Sequence, residues 1–241
     1  MIATQDIQAD QVVMSCAPYV WVPYEPQKQN VCAFCMRGVE APVSEVPAEA
    51  TPTEMDPAPL EPEAQTAPTT DAVNPELENV VILPATVPSV HPCSGCNQVW
   101  YCSEKCREND VEHNYWECKA LANFDIPWAK SYYGYCDDLV TDIRLLVRLM
   151  NKRKIEIDNG INEYEPEYGL LISNLSCYDQ ETLTGLLGIV QFANYVAPDE
   201  IGMDEEALLE VYCKHRVNMF GLWAVNGECL GYGVYPRGTS S

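Results

Sequence analysis

Eight residues in this chain have the chemistry and the spacing of metal ligands. Six fall in one stretch: Cys93, Cys96, Cys102, Cys106, His113 and Cys118. Two more, Cys32 and Cys35, stand upstream in V-C-A-F-C. A structural zinc ion takes four sulfur or nitrogen ligands in a tetrahedron, so eight ligands fill two closed sites with none left over. A C-x-x-C turn aims two thiolates at one ion from a single tight loop. Cys102 and Cys106 are four apart and share one face of a helical turn. His113 and Cys118 follow at a looser spacing. Spacing alone permits either a sequential or an interleaved assignment of the four pairs, and the competing account of these residues is buried thiols plus disulfides.

The charge balance narrows the class of partner. With 14 basic and 36 acidic residues the net charge is -22, which argues against a nucleic-acid surface and suits a basic partner such as a lysine-rich tail. Met1 to Asp10 lacks the charged start and apolar core of a signal peptide, and no apolar run approaches the roughly 18 residues of a membrane helix. The expected location is therefore the nucleus and/or the cytoplasm, with no membrane partner. Twelve cysteines in such a chain point to metal and reduced thiols. Cys16, Cys136, Cys177, Cys213 and Cys229 show no ligand spacing and are expected to be small buried hydrophobes.

The elements that position the ligands can be read in order. A strand is expected near Gln11 and a second extended stretch at Tyr19-Val20-Trp21-Val22. Residues 36–92 contain no Phe, Tyr or Trp and are rich in Pro, Glu, Ala and Thr. From about 37 to 90 they read as a long disordered acidic loop. Ser103 is a good N-cap for a helix running to Asn123. Leu139, Ile143, Leu146, Val147 and Met150 mark one apolar face of a helix over Tyr135–Ile157, whose Lys152, Arg153 and Lys154 read as a solvated last turn favourable to the helix dipole. A further helix spans Gln180–Val196, with Leu183, Leu186, Leu187 and Val190 inward and weakened by Gly185 and Gly188. Asp204 caps another that reaches about His215, which reads as a structural side chain. Asn226-Gly227 between two apolar runs signals a β-hairpin.

Tyr101-Cys102-Ser103, Cys106, His113 and Glu117-Cys118 resemble the second half of a MYND zinc finger. That resemblance implies cross-braced sites: Cys32, Cys35, Cys102 and Cys106 on one zinc, Cys93, Cys96, His113 and Cys118 on the other. The segment between the first and second knuckles is far longer than the family usually has. Ala3-Thr4-Gln5-Asp6-Ile7 resembles the opening of a SET domain. Arg216 to Gly221 and Gly231-Tyr232-Gly233-Val234-Tyr235-Pro236 resemble the N-x-F and G-x-G-x-Y-P phrases of SET-and-MYND-domain lysine methyltransferases. From these phrases Asn218 is carried over as a contact to S-adenosylmethionine.

The resulting expectation is an α+β chain with split SET-domain strands, an inserted MYND finger and a helical insert. Its parts are opening strands at 1–31, the finger at 32–118 with its insertion at about 37–90, the helical insert at 119–215, and SET core strands at 216–241. The family implies methyl transfer from S-adenosylmethionine to a protein lysine, histone tails among the substrates, with both zinc ions structural. The family's N-H-S-C segment and late tyrosine do not occur before Ser241, so no catalytic residue is assigned and the chain as given is expected to be truncated and inactive. The alternative is a non-catalytic interaction module that binds proline-containing peptides.

Overall fold

The computed structural model of the chain describes residues 17–39, 86–124, 137–224 and 227–236. The expected strand near Gln11, the bulk of the acidic insertion, Cys16, Cys136 and Asn226 lie outside the described residues.

One three-stranded antiparallel sheet joins the two ends of the described chain. Strand β1 (Val20–Pro23) pairs with β7 (Cys229–Val234), and β7 pairs with β6 (Met219–Trp223), giving the order β1-β7-β6. The register sets Val20 opposite Val234 and Pro23 opposite Gly231. The close approach explains one glycine of the G-x-G phrase, because a Cβ on Gly231 would run into the Val22 carbonyl. β6 and β7 form the expected hairpin, with Gly227 at φ 83 in the left-handed region that favours glycine.

Between β1 and β6 the chain builds the finger and then the helices. Short strands β2 (Gly38–Val39) and β3 (Thr86–Val87) pair in parallel, and β4 (His91–Pro92) pairs with β5 (Trp100–Tyr101). Helix α1 (Glu104–Asn109) is followed by a π-helical turn (His113–Glu117) and α2 (Cys118–Ala122). The helical stretch expected from Ser103 to Asn123, with its ligands on the helix or at its break, is two pieces. The break falls at Asp110, whose φ of -78 and ψ of 71 leave the helical region, and whose carboxylate accepts from the His113 amide. Then come α3 (Asp137–Asp158), α4 (Tyr164–Tyr168), α5 (Gln180–Val196) and α6 (Glu205–Asn218). The caps follow the sequence: Asp179 accepts from Thr182 N, and Asp204 from Glu206 N and Ala207 N.

Helix α3 is buried on more than one side. Val140, Ile143, Leu146, Val147 and Met150 join a core with Leu186, Ile189 and Val190 of α5, Leu208 and Tyr212 of α6, and several finger residues. Leu145 and Leu149 join a second core with Tyr19, Val20, Val22, Tyr168 and Val234. Polar contacts complete the seating. Arg144 Nη1 donates to Glu25 Oε2 at 2.9 Å, both side chains buried, and Tyr19 Oη donates to Glu156 Oε1 at 2.6 Å.

The basic end of α3 departs from the solvated turn expected of it. Lys152 Nζ donates to the Tyr19 carbonyl at 2.7 Å, and the Arg153 guanidinium lies 3.9 Å from the centre of the Tyr164 ring. Lys154 pairs with Asp158. The β1 segment and α4 come up against this turn, so Lys152 and Arg153 dock, while Lys154 stays partly exposed in a pair within the helix. On α5, Leu186 and Val190 are buried, while Leu183 and Leu187 are half-buried. Cys213 is buried as expected, Cys229 is half-buried and Cys177 is exposed. No helix among the described residues is long and apolar enough to cross a membrane.

Gly185 and Gly188 lie inside α5 with nothing within 4 Å of a Cβ built on either. Alanine at each position should raise unfolding free energy by about 0.5–1 kcal/mol, because glycine loses more backbone entropy in a helix. Denaturant titration reads this directly, and an unchanged midpoint in the double substitution would contradict it.

Candidate metal centres

The two knuckles fold by the same local rule. In the first, Met36 N donates to Cys32 O and Cys32 N to Arg37 O, both at 3.0 Å. In the second, Asn97 N donates to Cys93 O at 2.9 Å and Cys93 N to Val99 O at 2.7 Å. Each turn passes through a left-handed residue directly after its second cysteine: Met36 at φ 62 and Asn97 at φ 55. Asn tolerates that conformation; for Met it costs on the order of 1 kcal/mol. The Asn after the second Cys-x-x-Cys was a readable signal of this turn that spacing alone overlooked. Ala33 N donates to Trp100 O at 2.8 Å, tying the first knuckle to β5.

β5 delivers Cys102 at its end, and α1 delivers Cys106. Ser103 Oγ accepts from Cys106 N at 3.2 Å and caps α1 as expected. The Cys102 and Cys106 sulfurs are 3.5 Å apart, and Cys35 lies 3.8 Å from Cys102. Arg37 Nε donates to Cys35 Sγ at 3.2 Å. The Cys35 thiol is pulled down to about 4, chiefly by its hydrogen bond with Cys32 and further by Arg37, against the effect of burial.

His113 and Cys118 are five residues apart, a spacing that an α-helix does not bring to one side. Here the turn between them is π-helical, and the Cys118 amide donates to the His113 carbonyl, the i→i+5 bond of that winding. Both ligands therefore point to the same cluster. His113 Nε2 lies 3.4 Å from Cys93 Sγ and 3.6 Å from Cys96 Sγ, and Cys93 is 3.8 Å from Cys118.

The structure thus gathers the eight residues into two groups, each with all its ligand atoms within 4.8 Å of one another: Cys32, Cys35, Cys102 and Cys106; and Cys93, Cys96, His113 and Cys118. Four sulfurs placed tetrahedrally at about 2.3 Å from one ion are separated by about 3.8 Å. The observed separations match that edge, whereas a disulfide would need about 2.05 Å. Donor type, number and spacing all fit zinc. With four protein ligands in each cluster, no position remains open for a substrate.

Behind His113 stands a buried polar chain. His113 Nδ1 faces Glu117 Oε2 at 3.0 Å. Arg148 of α3 donates from Nη1 to Glu117 Oε2 at 2.9 Å and from Nη2 to Asp110 Oδ1 at 2.7 Å. Burial opposes ionisation of Glu117, but the Arg148 charge and the His113 contact overcome it and hold the carboxyl down at about 2. Tyr101 Oη donates to the other Asp110 oxygen at 3.0 Å. Residue spacing carries no direct sign of this chain, because its members come from separate elements.

Asn218 belongs to neither cluster. It is the last residue of α6, directly before β6, and its Nδ2 donates to Ile172 O at 2.9 Å and Lys214 O at 2.7 Å. Both amide protons are therefore used within the fold.

Residues 85–118 match the MYND finger family. That span holds every ligand except Cys32 and Cys35, which the long insertion separates from the rest. Two SET and MYND domain-containing proteins of Dictyostelium discoideum are 22% and 24% identical, each over 98% of this chain and 61% of its own length. A histone-lysine N-methyltransferase of Arabidopsis thaliana is 24% identical over 60% of this chain and 29% of its own length. The chain thus spans about 61% of the length of the Dictyostelium relatives.

Gly95 sits inside the second knuckle, where an added Cβ would stand 2.7 Å from Cys118 Sγ. Gly95→Ala should push Cys118 off its position and weaken metal retention at the histidine-containing cluster at least tenfold, read by competition with a colorimetric chelator. Retention equal to the parent chain would show that Cys118 is not a ligand in that geometry.

Proposed function

Since this chain is a SET-and-MYND family protein, we propose that its finger holds two structural zinc ions and that its sheet belongs to the scaffold of an S-adenosylmethionine-dependent protein-lysine methyltransferase. The observation that carries this reading is the sheet itself. A strand that precedes the finger, β1, pairs with β7, which follows the helical insert. A SET core split by a finger requires that arrangement.

In this reading Cys32, Cys35, Cys102 and Cys106 hold one ion, and Cys93, Cys96, His113 and Cys118 hold the other. Bound zinc supplies a rigid cross-link and, with all four positions filled by protein, no reactive water. S-adenosylmethionine, when bound, supplies an electrophilic methyl group. Asn218 contributes Oδ1 as an acceptor, held in place by its two bonds to Ile172 and Lys214 carbonyls. The substrate class is a protein or peptide bearing a lysine, histone tails included, which the acidic charge of the chain favours.

A second reading, a peptide-binding module without chemistry, draws on a cavity of about 240 Å³ beside the first knuckle. Trp21, Phe34, Met36 and Val111 line it, and Phe34 and Val111 are exposed. Asp110, Glu112 and Arg148 form its polar side, and a slot with one apolar, aromatic wall suits a proline-containing peptide.

Two measurements test these readings. Elemental analysis of freshly purified protein should return two zinc ions per chain, and Cys102→Ala should lose metal and unfold the finger, since binding in such modules contributes roughly 10–16 kcal/mol of folding energy. Fewer than two ions in the parent chain would refute the assignment. Calorimetric titration with S-adenosylmethionine separates the functions. Saturable binding that Asn218→Ala weakens with zinc content intact supports the methyltransferase scaffold. Capture of a proline-containing peptide that Phe34→Ala abolishes, with zinc content intact, supports the module.

A further inference from the structure

We propose that Arg148, which lies outside the finger on helix α3, is a positioning residue for the histidine-containing metal cluster, and that the two clusters therefore hold metal by unequal means. This rests on the two-zinc reading above. The geometry is a fork closed on one histidine. Arg148 Nη1 donates to Glu117 Oε2, the oxygen that faces His113 Nδ1; Arg148 Nη2 donates to Asp110 Oδ1, the oxygen that accepts from His113 N. A single guanidinium thus clamps both carboxylates that hold the ring and the backbone of the same ligand. Arg148 Nε lies within ion-pair distance of Glu112 Oε2, at 3.4 Å, but makes no hydrogen bond among the described residues.

The consequence for the ligand is specific. Glu117 Oε2 faces Nδ1 as an acceptor and so places the proton there, which leaves the Nε2 lone pair directed at Cys93 and Cys96 and hence at the ion between them. Arg148, Glu117 and His113 side chains are 5%, 2% and 0% exposed, so water does not substitute for any of these bonds. Asn151, one turn further along α3, accepts from Trp116 N at 2.9 Å and donates to Glu112 O, fixing the π turn from the same helix. The thiolate-only cluster is built differently. Arg37 Nε donates to Cys35 Sγ and Ser103 Oγ accepts from the Cys106 amide, both partners lying within the finger, and Cys35 and Cys102 are partly exposed. A purely structural ion pair would fasten α3 to the finger without favouring one cluster over the other.

The test uses the full chain loaded with cobalt(II), whose absorption distinguishes a thiolate-only site from one with an imidazole ligand, and zinc retention against a competing chelator. Arg148→Met should weaken the imidazole-containing site by about 10- to 100-fold and leave the thiolate-only site unchanged. Arg148→Lys keeps the charge but cannot bridge both carboxylates, so it should rescue part of the loss. If Arg148→Met releases both ions together, Glu117→Gln decides, because it preserves shape and removes only the carboxylate charge. Selective weakening of the imidazole site in that variant supports the proposal. An imidazole site as tight as the parent's in Arg148→Met, equal weakening of both sites in Glu117→Gln, or no rescue by lysine overturns it. A parent chain that binds one ion or none refutes the two-zinc reading itself, a result separable from the behaviour of the variants.

Discussion

The positive charge buried at Arg148 requires negative partners, and the finger supplies Asp110, Glu117 and, at the edge, Glu112. Removing one partner from such a buried set typically costs about 3–5 kcal/mol, because the remaining charge stays desolvated and unpaired. Asp110 therefore has to leave the helix where it does, and Glu117 has to stand behind His113. The π turn reconciles these demands with metal binding. It places His113 and Cys118 on one side while Glu117 reaches back to the guanidinium.

The same helix meets the sheet by the same means. Arg144 pairs with Glu25, which follows β1. Glu156 accepts from Tyr19, which precedes it. Helix α3 is a polar strut as well as an apolar one, and the finger and the sheet are both registered on it. Buried ion pairs add little net stability compared with well-packed apolar residues, but they specify one docking geometry when every partner is satisfied. The helix meets the finger through Arg148, Asn151 and Lys152, and the β1 segment through Thr141, Arg144, Lys152 and Glu156.

Much of this was legible in the chain. The ligand set could be listed from residue type and spacing, and the interleaved grouping came from likeness to the MYND finger. The caps at Ser103 and Asp204, the apolar stripe of α3 and the hairpin around Gly227 all follow from local rules. What escaped the sequence was the fate of charge. Arg144, Arg148 and Lys152 recur at four-residue intervals and look like an exposed face, since periodicity reports where apolar groups lie and says nothing about whether polar groups will find buried partners. Those partners, Glu25, Asp110, Glu117 and the Tyr19 carbonyl, lie between 31 and 133 residues away. The break at Asp110 was hidden for a similar reason: its cause is a carboxylate needed elsewhere, not a helix-breaking residue.

The parallel pair of β2 and β3 has a consequence for how this chain can change over time. Gly38 stands opposite Thr86 and Val39 opposite Val87, so the two ends of the insertion are pinned next to each other by backbone hydrogen bonds. The entropy of closing a chain between fixed ends grows only with the logarithm of its length, roughly 0.6 kcal/mol for each doubling. Residues can be gained or lost between those ends at almost no thermodynamic penalty to the ligand geometry on either side. Length in this segment is thus nearly neutral to selection on the fold, while a single methyl group on Gly95 is not. Lineages sharing the finger can therefore diverge widely in the spacing between its first and second knuckles and still present the same eight ligand atoms.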